Sequence, residues 1–334
     1  MSRCATTSRL RRSRRIGRIV FPGSTRMAVL IAVVAVPINV TAGCGFTKAF
    51  QQPDEGGSQR VQVFRGDPVP ALQGARPLLF VTSLKVNTDG TKISYHQRDV
   101  TGRRCMNDPG AGPCAINNIR NAFRNPKRPE ADFESVRDAG YPVDQTWQVL
   151  NSSIIEKDKW TGKPCISADG YLVSMTADVA VDGGFGRQGD CDQSKWIDAL
   201  SVPALVVPDQ SKFFALGVVK RSVVVALSSS ASKRVVAGIV GDVGPSDELG
   251  EASVAMNRSL NGLPDTELPR HRRDAIERFQ AGRTAVLILP GNAFRLARPI
   301  TPQRVAEAGT DALSKFGGAD KLYGCIRDEI DSAF

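Results

Sequence analysis

Apolar positions along this chain cluster in short, dense runs rather than in long helical stripes. Residues 78–86, 204–207, 217–227, 235–241 and 284–289 are rich in Val, Ile and Leu and are bounded by Gly, Pro or Asp. Runs of that length and composition predict strands. Residues 171–181 alternate instead. Leu172, Ser174, Thr176, Asp178 and Ala180 fall on one face, and Val173, Met175, Ala177, Val179 and Val181 on the other. That period predicts a half-buried strand with Asp178 on its more polar side. A strand is also expected near 147–150. Asn87-Thr88-Asp89-Gly90 reads as a hairpin-type turn. Spacing of three and four predicts helices over 247–260, 270–280, 302–315 and 320–332, with shorter helical pieces at 115–123 and 132–139. Six or more short strands with few helices imply a mostly-β fold, a β-barrel core with several peripheral helices.

The first 43 residues follow a different rule. Arg3, Arg9, Arg11, Arg12, Arg14, Arg15, Arg18 and Arg26 precede an apolar run from Met27 to Val40, and the segment holds no acid. A basic stretch, an apolar stretch and then small residues form the pattern of an export signal. Thr41-Ala42-Gly43-Cys44 resembles a lipobox, which makes Cys44 the candidate for lipidation and the membrane a partner through that anchor. Ordinary cleavage near Ala42 is the alternative. Residues 44–76, rich in Gly, Pro and Gln, read as a flexible tether, and residues 77–334 as a single catalytic domain. The expected location is exported, either anchored in the cell envelope or secreted.

Charge changes little once the leader is set aside. The chain has 44 basic and 34 acidic residues and a formal net charge of +10. Without the eight leader arginines, 36 basic residues face 34 acidic ones, so the body gives no reason to expect a nucleic-acid partner. Cysteines suit an oxidising compartment. Cys105 and Cys114 flank a Gly/Pro turn, Cys165 and Cys191 flank an expected hairpin, and Cys325 is left over. With only His96 and His271 in 334 residues, a His-based zinc site is excluded, and no cofactor is implied.

Candidate chemistry concentrates in residues 235–253. A buried strand delivers Asp242, Gly244-Pro245 turns the chain, Ser246 can cap a helix, and Glu251 falls one turn into it. Two carboxylates on a strand end and a helix start can face each other across a cleft. Glycosidic hydrolysis needs such a pair, one to protonate the leaving oxygen and one to activate water. A simple turn with acids at a helix start accounts for the same pattern without catalysis.

The stretch Gly241-Asp242-Val243-Gly244-Pro245 and then Leu249-Gly250-Glu251-Ala252-Ser253 resembles the signature of the family-75 glycoside hydrolases, the chitosanases. The segment Val202-Pro203-Ala204-Leu205-Val206-Val207-Pro208 is similar to another stretch of that family. The likeness implies a double-psi β-barrel, inverting stereochemistry, and Asp242 and Glu251 as the catalytic pair, with Glu251 the acid and Asp242 the base. It also implies substrate contacts at Asp178 and Asp182. Ala180 departs from the family, which carries an acid there, and this leaves the identity of the polysaccharide open.

The expected function is endo-acting cleavage of β-1,4 bonds in chitosan or a related glucosamine-containing polymer. Two other readings stand beside it: a non-catalytic polysaccharide-binding envelope lipoprotein, and a hydrolase of peptidoglycan glycan. Asp89 and Tyr95 can line a sugar subsite or simply belong to a turn. Trp147, Trp160 and Trp196 can stack on sugars or fill the core. His96 reads as structural, and the Arg270-His271-Arg272-Arg273 run as a solvated face.

Overall fold

The computed structural model describes residues 43–54, 57–108, 110, 112, 114–182, 188–246 and 248–334. Residues 1–42, which carry the expected export signal, and Asp247, the expected start of a helix, lie outside the described residues.

The described residues form ten strands: β1 (Thr47–Pro53), β2 (Arg60–Arg65), β3 (Leu78–Asn87), β4 (Tyr95–His96), β5 (Tyr171–Leu172), β6 (Ala204–Pro208), β7 (Val223–Ser228), β8 (Val235–Gly244), β9 (Glu251–Ser253) and β10 (Ala281–Ile288). Eight of them form one sheet in the order β1-β2-β3-β10-β7-β8-β6-β9, and β3 also pairs with β9. That extra pairing closes six strands, β3-β10-β7-β8-β6-β9, into a barrel. Pairing is parallel at β3–β9 and β6–β8 and antiparallel at the other four seams.

The dense apolar runs follow from burial on both faces. In β7, Val224 and Ala226 point into the barrel with Phe80, Val240 and Val286. Their neighbours Val223, Val225 and Leu227 point outward onto Phe316, Leu322 and Tyr323. Removing each such side chain from water contributes roughly 1.5–3 kcal/mol, which makes the barrel wall the main source of stability.

Helices are peripheral: α1 (Arg104–Asn107), α2 (Glu130–Asp138), α3 (Val143–Val149), α4 (Lys212–Ala215), α5 (Val254–Asn261), α6 (Arg272–Asp274), α7 (Pro302–Phe316) and α8 (Gly318–Cys325). Helix α7 starts where Thr301 accepts from the Arg304 N–H and Pro302 fills its first turn. It lies hard against the barrel because Gly309 has no side chain; a Cβ there would sit 2.2 Å from that of Ala237.

Several expectations change. Residues 44–76 are not a tether. Gly43–Phe334 form one compact unit, and β1 and β2 pair with each other before β2 joins β3. Phe50, Val61 and Val63 reach the barrel core, which explains why so polar a segment is ordered. Cys44 is not free for lipid. Its sulfur is bonded to Cys325, and a sulfur in a disulfide cannot also carry a thioether. The leftover cysteine of the sequence thereby finds its partner, beside the bridges Cys105–Cys114 and Cys165–Cys191.

Asn87–Gly90 does not close a hairpin, since β4 pairs with β5 rather than with β3. The chain leaves the barrel there for an insertion that returns at β6. Within it, 147–149 belongs to helix α3, which Pro142 opens and Asp144 supports in the first turn, and Leu150 alone is extended, bridged to Phe123. The expected strand 171–181 shrinks to β5. Most of its later residues are buried on both faces, from Val173 to Val179, and Val181 is exposed.

Candidate active site

Asp242 and Glu251 sit at one end of the barrel, on strands that flank β6. Val206 of β6 faces Asp242 of β8, and Leu205 faces Ala252 of β9. Two strand spacings separate their backbones, about 10 Å. The expected helix start at Glu251 is a correction: residues 251–253 are strand β9, and helix α5 begins only at Val254, capped by Ser253 rather than Ser246. Ser253 Oγ accepts from Met256 N at 3.1 Å and donates to Val202 O, so one hydroxyl caps α5 and ties it to the strand that follows the insertion. Glu251 is delivered by Gly250, whose φ of +123° favours glycine; a Cβ there would also press on the Ser83 carbonyl at 3.1 Å.

Asp242 lines a cleft of about 790 Å³ together with Thr176, Ala177, Trp196, Asp209 and Lys220. Its Oδ1 accepts from Ala177 N at 2.6 Å and Val243 N at 2.9 Å. Burial pushes its pKa up to about 7, and the negative charge of Asp89 adds to the rise. The two backbone N–H groups and Lys220 oppose it without cancelling it. Lys220 reaches the cleft by donating to Ala177 O at 2.7 Å. Glu251 is half-buried beside the end of β8, 3.9 Å from where a Cβ on Gly244 would lie. Its Oε2 accepts from Asn87 Nδ2 at 3.3 Å.

Asp89 joins the same end of the barrel. It accepts from the Tyr95 hydroxyl at 2.8 Å and from Ser174 Oγ at 3.2 Å. Burial raises its pKa to about 6 against those two bonds. The sequence offered Asp89 and Tyr95 only as alternatives to a turn; Asn87 and Lys220 carried no signal, because amides and lysines are common at any surface turn.

The expected substrate contacts are not brought to this cleft. Asp178 is buried, paired with Arg221 Nε at 2.9 Å and with Arg298. Its carboxylate is a structural anchor. Asp182 is exposed, next to residues outside the described ones. Ala180 packs against an apolar cluster that includes Ile197, Ile239 and Ile300. The acid expected at that position would therefore meet hydrocarbon.

His96 is buried, with Nε2 against Asp169 O at 3.0 Å and its ring edge-on to Tyr171. Trp196 is buried and forms part of the cleft wall, Trp147 donates to Gly162 O at 2.7 Å, and Trp160 stands 84% exposed. In the basic run, Arg270 and Arg273 pair with Asp274 and Glu277, as a solvated face would.

No family model matches the chain, and no curated protein matches it at a significant level.

Proposed function

We propose that this protein is an exported, endo-acting glycoside hydrolase of inverting type, cleaving β-1,4 bonds in chitosan or a related glucosamine-containing polysaccharide. One observation carries the reading. The two carboxylates of the family-75-like signature stand on β8 and β9, flanking β6, and Asp242 opens into a cleft large enough for a sugar chain. Backbones about 10 Å apart allow carboxyl groups at the roughly 6.5–9.5 Å that leaves room for a water.

The environment of Asp242 supports one division of roles. Asp242, buried beside a second acid, keeps its proton to near neutral pH and is suited to protonate the glycosidic oxygen. Glu251, held by the Asn87 amide on the other side of β6, is left as the group that takes the proton of the attacking water. This reverses the roles expected from the sequence. The bond from anomeric carbon to leaving oxygen breaks as the water oxygen attacks from the opposite face.

A second reading, hydrolysis of a glucosamine-containing wall glycan, gains support from Lys220. Its ammonium group in the cleft disfavours a fully cationic polymer and favours a chain with fewer free amines. The acid missing at Ala180 favours the binding-only reading slightly, but that residue is partly buried against an apolar cluster. The three disulfides support export, and the engaged sulfur of Cys44 supports cleavage upstream near Ala42 and a secreted mature form.

Proton NMR of the nascent reducing ends tests the chemistry. The inverting reading expects the α-anomer to appear first from a β-linked oligomer; an initial β-anomer contradicts it.

A further inference from the structure

The proposed chemistry assigns its steps to Asp242 and Glu251, and the Asn87–Asp89 turn neighbours both without taking a step of its own. We infer that Asp89 is a positioning carboxylate of this site, linked to Asp242 through residues 174–177 and to Glu251 through Asn87. The inference rests on the hydrolase reading above and assigns the site a third acid.

The geometry runs in two directions from Asp89. Toward Asp242, its Oδ1 accepts from Ser174 Oγ, and three residues later Ala177 N donates to Asp242 Oδ1. That segment is clamped. Gln193 accepts from Ser174 N at 2.9 Å and donates to Ser174 O at 2.8 Å and Gly90 O at 2.7 Å. Toward Glu251, Asp89 N donates to Asn87 Oδ1 at 2.9 Å. This bond fixes the orientation of the amide, so that Nδ2 is the end presented to Glu251. Tyr95 completes the frame: its hydroxyl donates to Asp89 and accepts from Asn117 Nδ2 at 3.1 Å.

A plain turn residue needs none of this. The charged groups that act on Asp242 are Asp89 from the turn after β3, which raises its pKa, and Lys220 from the loop before β7, which lowers it; the Tyr95 phenol from β4 bonds Asp89 and also feels the charge of Glu251 from β9. Only Lys220 is positive. Two carboxylates in a half-buried site do not ionise together without cost, so a charged Asp89 holds the proton on Asp242. Asp89 thereby keeps Asp242 in its acid form while its backbone keeps Asn87 aimed at Glu251.

The Asp89→Asn variant tests this, because the amide oxygen can still accept from Tyr95 and Ser174. The alkaline limb of kcat/KM is expected to move to lower pH by about one unit. A lower kcat at every pH with an unmoved limb would mark a merely structural residue and overturn the inference. Carbon-13 NMR titration of the aspartate carboxyls, with Asp242→Asn for assignment, reads the same coupling without any turnover. An Asp242 titration that moves down in Asp89→Asn supports the inference, and one that stays in place overturns it. Absence of hydrolysis in the wild type would count against the hydrolase reading alone. If Asp89→Asn does not fold, Tyr95→Phe removes a bond that holds Asp89 ionised; Asp242 must then shift with it, and an unmoved Asp242 contradicts the coupling.

Discussion

Cys44 is joined to Cys325 across 281 residues of sequence. The bridge fastens the first described residues to the end of α8, and Glu329 reinforces it by accepting from the backbone N–H of Cys44 and from that of Phe46 at 2.8 Å. Crosslinks that close long loops restrict the unfolded chain, and removing one costs about 2–5 kcal/mol. Cys325→Ser is therefore expected to lose about that much in a denaturant titration. Alkylation of the denatured, unreduced mature protein should label no cysteine. A labelled or lipid-bearing Cys44 in the mass spectrum would contradict the pairing.

Asp178 distinguishes a structural acid from a substrate contact. Breaking a buried ion pair by removing one partner leaves an uncompensated charge and costs about 3–5 kcal/mol. Asp178→Ala strands both Arg221 and Arg298. The expected result is a large drop in unfolding free energy. A raised KM with unchanged stability would instead restore Asp178 to the cleft.

Ala180 gives the complementary experiment. Restoring an acid by Ala180→Asp places a carboxyl among Ile197, Ile239 and Ile300, where an unpartnered polar group costs about 1–3 kcal/mol. Thermal unfolding should fall, with no gain in affinity for a cationic polymer. Tighter binding at unchanged stability would contradict the packing.

The raised pKa of Asp242 carries a consequence for stability. In the unfolded chain an aspartate loses its proton near pH 4; in the folded protein Asp242 keeps it to about 7. Between those values ionisation favours the unfolded state, so the contribution is fully present below about pH 4 and is lost as pH rises through 7. Asp242→Asn, which cannot ionise, should melt at a higher temperature than wild type at pH 8. That gap should close toward pH 4. Parallel melting temperatures at both pH values would place Asp242 in a solvated site.

The barrel was legible where its strands are buried on both sides. β3, β6, β7, β8 and β10 are runs of Val, Ile and Leu, and each lies within three residues of where the pattern puts it except for the start of β7. The polar strands β1 and β2 were not legible, because only Phe50, Val61 and Val63 mark their inward face. Nor was β9, which is three residues long and takes its conformation from β3 and β6 rather than from its own sequence. The site divides the same way. Asp242 and Glu251 could be named from their motif, whereas Asn87 and Asp89 become neighbours of the pair only through the β3–β9 seam and the fold of the insertion.

The central claim is that Asp242 and Glu251 perform hydrolysis. Its most direct test is reducing-end release from highly deacetylated chitosan and from a partly acetylated glucosamine polymer, with wild type beside Glu251→Gln and Asp242→Asn. Loss of a positioned acid or base typically lowers the rate 10²–10⁴-fold, so roughly that loss is expected in each variant, with folding retained by circular dichroism. Wild-type activity that survives in either folded variant, or a wild type inactive on both polymers, would contradict the account.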